Sequence, residues 1–139
     1  MATMIRPEIS ANHKYYLDKH RHYELKHFCL QYPAWKKAYA DFSDISISLS
    51  SIDRVRTSNM HGDPTAKRAI MLAHYGEKID LIENAAKAAD RYLYEYILKA
   101  VTEGLSYTHL KSKFDIPCSR DMYYDRYRRF FWILSDSRN

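Results

Sequence analysis

The sequence has few of the residues that interrupt regular structure or cross-link a chain. Three glycines and four prolines in 139 residues leave few breaks. Cys29 and Cys118 lie far apart without metal-ligand spacing, which argues against a disulfide framework and favours a reducing, intracellular setting. No apolar run approaches the roughly 18 residues of a membrane span, and residues 1–20 lack the apolar core of a signal peptide. We therefore expect a cytoplasmic protein that does not enter membranes.

Motifs of catalysis and metal binding are also missing. The sequence contains no P-loop, no GxSxG and no HExxH. Four of the seven histidines fall between His13 and His27, but packing accounts for them better than a metal site does. Tyrosines close to arginines invite comparison with tyrosine recombinases, yet those enzymes are far longer and core packing explains the spacing of Tyr123 and Tyr127. We expect no catalysis, no metal and no cofactor.

The composition that is present suits one small basic domain, or a domain with a small appendage. Basic residues number 22 and acidic residues 17, which gives a formal net charge of +5. That charge suits a nucleic-acid partner without requiring one. Tyrosine occurs 13 times and can cover a small core while bonding at its rim.

Helical spacing dominates the first part of the chain. It predicts a first helix over residues 12–30, with one buried aromatic stripe at 4-3-4-3 spacing: Tyr16, His20, Tyr23, His27 and Leu30. A short helix is predicted over Pro33–Phe42, with Trp35, Ala38, Tyr39 and Phe42 on its buried face. Serine then alternates with Ile45, Ile47 and Leu49. This alternation suggests a strand or an extended arm, but we prefer a mobile connector over residues 43–62 because a lone strand would have no partner. Its Arg54 and Arg56 would either touch phosphates or be solvated.

A long helix is predicted over residues 64–88. Asp63 would cap it and Pro64 would take its first position. A narrow apolar seam follows coiled-coil spacing: Leu72, Tyr75, Ile79, Ile82, Ala86 and Ala89. The seam would pack on the first helix or on a second copy, forming a homodimer through residues 72–89. The chain thus divides into an N-terminal helical segment with its connector, 1–62, and a second part, 63–139.

The last third of the chain predicts helix, short loop, helix, short turn, helix. Asp90 would cap the first of these helices, and Gly104 would end it in a left-handed conformation. Ser106 would cap the second, and Asp115-Ile116-Pro117 would end it. Ser119 would cap the third. Helix-turn-helix DNA readers have this arrangement, so we predict an all-α fold, a helical bundle with a C-terminal helix-turn-helix.

The last helix has two distinct faces. Its predicted core stripe contains Tyr123, Tyr127, Phe130 and Leu134, with Phe131 at the edge. The opposite face carries Asp121, Asp125, Arg128, Arg129 and Trp132. Arg126, Arg128 and Arg129 would be either a solvated helix end or part of a basic surface that Lys111, Lys113 and Arg120 extend.

Most of the chain also resembles a known family. The segments that carry the resemblance are YELKHFCLQYPAWKKAY, DPTAKRA…KIDLIENAA and YILKAVTEGLSYTHLKSKFDIPCSRDMYYDRYRRFFWIL. They are similar to phage and prophage transcriptional regulators of the RinA/ArpU type, and the last third resembles the helix-turn-helix of sigma-factor region 4. The resemblance implies a bacterial or phage protein that binds double-stranded promoter DNA and activates late genes, acting with host RNA polymerase.

If the chain binds DNA, each candidate residue has a role. Ser119 and its helix N-terminus would hold a phosphate, and Lys111, Lys113 and Arg120 would neutralise the backbone. Arg126 and Arg129 would contact guanine, and Tyr124 would contact a phosphate or a thymine methyl. The full set of candidates is Lys111, Lys113, Ser119, Arg120, Tyr124, Arg126, Arg128 and Arg129.

Two alternatives stay open. In one, the aromatic stripe and the apolar seam dock a protein partner and the basic face is incidental. In the other, the chain is a small terminase-like recognition subunit that packages DNA and assembles into rings.

Overall fold

The prediction of an all-α fold is confirmed. The computed structural model describes residues 12–52 and 64–139, with the backbone alone between residues 45 and 52. This part of the chain contains six helices and no strand: α1 (Lys19–Leu30), α2 (Tyr32–Ile52), α3 (Pro64–Ala89), α4 (Tyr94–Glu103), α5 (Tyr107–Phe114) and α6 (Arg120–Ser137). The predicted cap Asp63 and the predicted phosphate contacts Arg54 and Arg56 lie outside the described residues.

Helix α1 begins later than its apolar spacing predicted. The Asp18 carboxylate accepts a hydrogen bond from the N–H of His20 at 3.0 Å and so caps the helix at Lys19. Before this cap, the N–H of Tyr16 donates to the carbonyl of His13 in a turn. The predicted start at residue 12 was wrong because a short carboxylate offers the free N–H groups of a first turn a better partner than water.

The predicted buried stripe of α1 was also wrong. Tyr16, Tyr23 and Leu30 are 40%, 38% and 42% exposed, and His20 and His27 are exposed as well. The buried side chains are instead Leu25, Phe28 and Cys29. Tyrosine and histidine combine an apolar body with a polar tip, so their periodicity does not show which face is turned inward.

Helix α2 continues ten residues past its predicted end at Phe42 and stops at Ile52. Residues 43–52 are therefore helical, and the prediction of a mobile connector there was wrong; residues 53–62 lie outside the described part. Ile45, Leu49 and Ile52 also follow 4-3 helical spacing, which the alternation with Ile47 concealed. On the predicted buried face, Trp35 is buried, Ala38 and Phe42 are half-buried, and Tyr39 is exposed.

The chain forms two compact units, and α3 contributes to both. One unit comprises the described residues of Tyr32–Asp80; the other comprises those up to Gln31 together with Leu81–Asn139. The predicted division after residue 62 falls within the undescribed stretch and stays a prediction.

In the unit of α2 and the first part of α3, aromatic rings join the two helices. The ring of Tyr75 stacks on that of Phe42 with centroids 6.1 Å apart. The Lys78 Nζ lies 5.0 Å from the centroid of the Trp35 ring. Half-buried Tyr75, a residue of the predicted seam, therefore packs on α2 of its own chain.

The other unit is built around α4 and α6, and α1 packs against both. Its core combines aliphatic side chains with the rings of α6: Leu25, Ile82, Ala86, Leu93, Ile97, Leu110, Ile116, Tyr123, Phe130, Phe131 and Leu134. Arg21 of α1 holds the C-terminus of α6, because its Nε donates to the Ser135 Oγ and its Nη2 to the Ser135 carbonyl, each at 3.0 Å. A guanidinium at this end also favours the helix dipole.

The predicted roles of Gly104, Ser106, Asp115 and Ser119 at helix ends in this unit are confirmed. The predicted cap of α4 by Asp90 is not, because Leu93 is the cap residue and forms no side-chain capping bond. Gly104 has φ 71° and ψ 38°, and its N–H donates to the carbonyl of Ala100. Ser106 and Ser119 cap α5 and α6, and Asp115 ends α5 in a left-handed conformation. The Asp90 carboxylate bonds the N–H groups of Tyr92 and Leu93, so it caps the turn that leads into α4.

Replacing Gly104 should test the left-handed end of α4. Gly104→Ala is expected to lower the free energy of unfolding by about 1–2 kcal/mol, because an L side chain is strained at this φ. The added Cβ would lie 3.7 Å from the Leu30 Cδ2, an ordinary contact, so the loss comes from the backbone. Chemical denaturation followed by circular dichroism measures it.

Gly76→Ala is the matched control, since it adds the same atoms inside helix α3. Its Cβ would lie 3.3 Å from the exposed Tyr39 ring, which has room to move, and alanine favours a helix. We expect unchanged or higher stability for this variant. A Gly104→Ala variant as stable as Gly76→Ala would contradict the backbone argument.

Candidate nucleic-acid interface

Helices α5 and α6 are joined by the short turn 115–119, and a serine caps the N-terminus of each helix. The Ser106 Oγ accepts from the N–H of His109 at 3.1 Å, and the Ser119 Oγ accepts from that of Met122 at 3.2 Å. The turn itself is held from α5, because the Tyr107 hydroxyl donates to the Cys118 carbonyl at 2.6 Å. Ile116 in this turn is fully buried and anchors it to the core.

Aromatic packing orients α6. The predicted stripe is confirmed as core: Tyr123, Phe130, Phe131 and Leu134 are buried, and Tyr127 is half-buried. Phe131 meets Phe130 and Tyr127 edge-on, with centroids 4.9 Å apart in both pairs. Burial raises the pKa of the Tyr123 hydroxyl well above its ordinary value, so this ring stays neutral. With this face fixed inward, the charged face of α6 is turned to solvent.

Arg126, a candidate for contacting guanine, is engaged inside the protein. Its Nε donates to the Asp90 Oδ2 at 2.9 Å, and its Nη1 donates to the Asp125 carboxylate. The Asp90 side chain is only 10% exposed, so this carboxylate is largely shielded from water, whereas the Arg126 side chain is 29% exposed. The hydrogen bond that Arg126 donates to Asp90 raises the pKa of Arg126. Arg126 therefore fastens α6 to the segment that starts α4.

Asp90 is held in its charged form. Burial raises its pKa, but the N–H groups of Leu93 and Tyr92 and the guanidinium of Arg126 together outweigh burial and bring the pKa below 3.8. The sequence offered no signal for this contact, since 36 residues separate Asp90 from Arg126.

The lysines of α5 differ in their surroundings. The Lys111 Nζ lies 3.3 Å from the Asp115 Oδ1 and 3.4 Å from the Ile116 carbonyl. Its charge is therefore partly neutralised at the C-terminal end of α5. Lys113 is exposed. Both lie on the helix that precedes the turn, as the sequence predicted.

Arg120 opens α6 and reaches back to α5. Its Cζ lies 5.1 Å from the centroid of the Tyr107 ring, and its Nη2 donates to the Thr108 Oγ1 at 3.3 Å. Tyr107 and Thr108 were not among the residues proposed from the sequence. The only sequence signal for their contact with Arg120 was the presence of an aromatic and a hydroxyl side chain directly after the cap Ser106.

Arg128 and Arg129 are half-buried on the outward side of α6. Among the residues that the structure describes, no carboxylate pairs with either guanidinium, and the buried Nε of Arg128 has no hydrogen-bond partner. Tyr124 lies beside them, half-buried against the Tyr123 and Tyr127 rings.

The same side of α6 also carries an exposed tryptophan and two acids. Trp132 is 43% exposed, and its ring centroid lies 5.8 Å from that of Tyr15. Asp121 is exposed and Asp125 is half-buried. The candidate surface is therefore basic and aromatic with acids interspersed, and it offers both hydrogen-bond donors and acceptors.

Across residues 12–44 and 64–139, no three His, Cys, Asp or Glu side chains are placed to hold a metal ion together. None of the described helices combines the length and apolar character needed to cross a membrane. Comparison of the chain with protein-family models, curated proteins and solved structures gives no match.

Removing the Arg126 guanidinium should destabilise the fold. Arg126→Ala leaves the shielded Asp90 carboxylate without its partner, and we expect a loss of about 2 kcal/mol in the free energy of unfolding. Arg129→Ala, which breaks no ion pair within the described residues, should change it by less than about 0.5 kcal/mol. Equal losses in urea denaturation would contradict the structural role of Arg126.

Acid should remove the contribution of Asp90. Because the pKa of this carboxyl is lower in the folded chain than in the unfolded chain, its stabilisation is complete above roughly pH 5 and is lost as the pH falls below 3.8. Asp90→Asn should flatten this part of the stability profile, whereas the exposed control Asp121→Asn should not. The measurement is urea denaturation from pH 7 down to pH 3.

Proposed function

We propose that the chain binds double-stranded DNA through α5, the turn 115–119 and α6, with the outward face of α6 in the major groove. The observation that carries the proposal is the group of arginines on α6 without an internal carboxylate partner among the described residues: Arg120, Arg128 and Arg129. With no carboxylate partner inside the described residues, these guanidinium groups keep N–H donors for an outside acceptor. DNA supplies acceptors on both phosphates and guanine edges.

In this proposal some residues have roles that differ from those predicted. Arg126 serves the fold, so Arg128 replaces it as the residue that would contact a guanine edge, and Arg129 beside it would contact a phosphate. Lys113 and Arg120 would neutralise phosphates, and Lys111 would do so less strongly because of Asp115. Tyr124 keeps its proposed contact with a phosphate or a thymine methyl. Asp121 and Asp125 would accept hydrogen bonds from cytosine at the positions they face.

Binding of this kind would suit a transcriptional regulator of phage or prophage genes. The resemblance to RinA/ArpU-type regulators and to sigma region 4 supports a place at promoters beside host RNA polymerase, in the bacterial cytoplasm. Ile79, Ile82, Ala86 and Ala89 are already buried within the chain. A homodimer through residues 72–89 would therefore have to use the exposed flank of α3.

A protein-docking function is favoured by one observation, the exposed Trp132 beside Tyr15 on the outward side of α6. Apolar docking and phosphate binding respond oppositely to salt. Phosphate-driven binding weakens steeply with added salt, whereas apolar docking does not. A terminase-like packaging subunit would form a ring, which solution mass would show.

Removing two arginines from α6 should test the proposal. The binding constant for duplex DNA is measured over a salt series, with DNA from the genomic neighbourhood of the gene and with competitor DNA. Arg128→Ala/Arg129→Ala should weaken binding about 100-fold, because one bidentate base contact and one phosphate contact are lost. The salt slope should fall by about 0.9 for the phosphate contact.

The matched control is Lys36→Ala/Lys37→Ala, which removes the same charge from exposed positions of α2. We expect this variant to lose little affinity and no selectivity. Equal weakening in both double variants would mean that net charge alone drives the binding, and it would sink the proposed interface.

A further inference from the structure

One cluster on the interface has a geometry that the general proposal does not use: Tyr107, Thr108 and Arg120. Tyr107 is buried, and its hydroxyl bonds the carbonyl of Cys118. The same ring lies against the Arg120 guanidinium, with the Cζ 5.1 Å from its centroid. The Nη2 of Arg120 donates to the Thr108 Oγ1 at 3.3 Å. A side chain that starts α6 is thus held in place by the first turn of α5.

This arrangement leaves Arg120 able to bind a further group. Among the described residues, only Thr108 accepts a hydrogen bond from this guanidinium. A guanidinium has five N–H donors, so others stay available. A guanidinium presents such donors in a planar fork that matches two oxygens of a phosphate. The Thr108 hydroxyl accepts from Arg120 and has its own hydrogen to donate. Both groups can therefore bond one phosphate.

Holding the arginine before DNA arrives also matters for affinity. A free arginine loses rotamer freedom when it binds, and holding it in the bound geometry removes much of that cost. Such an effect on one side chain corresponds to about threefold to tenfold in affinity. Tyr107 supplies the rigid part, since its buried ring is packed against the Tyr123 ring.

We propose that Tyr107 is a positioning residue that holds the Arg120 guanidinium, together with the Thr108 hydroxyl, as a pre-formed contact for one phosphate of the DNA backbone. The inference rests on the proposed function. It adds Tyr107 and Thr108 to the candidate residues. It also means that the Arg120 contact is already formed in the free protein, whereas the other contacts form only on binding.

A double-mutant cycle tests the coupling between the ring and the arginine. Tyr107→Leu should weaken DNA binding about threefold to tenfold in the wild-type background and should have no effect in an Arg120→Ala background. Arg120→Ala itself should lower the salt slope by about 0.9, the value for one phosphate contact. Binding is measured at a temperature at which circular dichroism shows every variant folded.

Tyr107→Phe separates positioning from stability. This variant keeps the ring under Arg120 and loses the bond to the Cys118 carbonyl, so it should melt at a lower temperature and keep wild-type affinity. Thr108→Val supplies a second cycle at an exposed position, where folding is not at stake. It should also weaken binding only while Arg120 is present.

The outcomes distinguish the two proposals. If the wild-type chain shows no salt-dependent binding to DNA, the proposed function is wrong and the positioning role falls with it. If the wild type binds as expected but Tyr107→Leu and Thr108→Val each weaken binding equally with and without Arg120, only the positioning role is overturned.

Discussion

The ion pair of Asp90 and Arg126 is the contact on which the geometry of the C-terminal unit depends. The Asp90 carboxylate lies directly after α3 and accepts hydrogen bonds from two backbone N–H groups that precede α4. It also accepts a hydrogen bond from the Arg126 guanidinium of α6. A shielded charge that loses its partner is far more costly than an exposed one, so these three elements are held in one arrangement. Aromatic packing decides which face of α6 is buried, and the ion pair fastens α6 to the segment that precedes α4.

Because Arg126 is engaged in this ion pair, the arginines near and on α6 differ in what they contact. Arg126 forms its ion pair inside the fold. Directly after α6, Arg138 lies over the Phe28 ring, with its Cζ 4.0 Å from the centroid. Arg120, Arg128 and Arg129 form no ion pair among the described residues. Counting basic residues on a helix thus overstates the charge that a partner meets. Because the surface also carries Asp121 and Asp125, binding of a partner there would depend more on the direction of the free N–H donors than on net charge.

The sequence predicted best what local chemistry decides. Gly104, Ser106, Asp115 and Ser119 act on their own helix ends, so their roles followed from a few neighbouring residues. The exposed stripe of α1 and the extension of α2 to Ile52 were missed for a common reason. Tyrosine, histidine and serine tolerate either environment, and tertiary packing chooses between them. The partnership of Asp90 with Arg126, and that of Arg120 with Tyr107, join different helices, and no spacing along a single helix reports them.

The two tryptophans differ in a way that has a practical consequence. Trp35 is buried in the unit of α2, with the Lys78 ammonium over its ring, whereas Trp132 is exposed on the outward side of α6. The intrinsic fluorescence of the chain therefore combines a shielded emitter and a solvated one that lies beside the candidate interface. An added quencher such as iodide would reach the second indole first. Trp35 fluorescence would thus report on the packing of the α2 unit, and Trp132 fluorescence would report on a partner that covers α6.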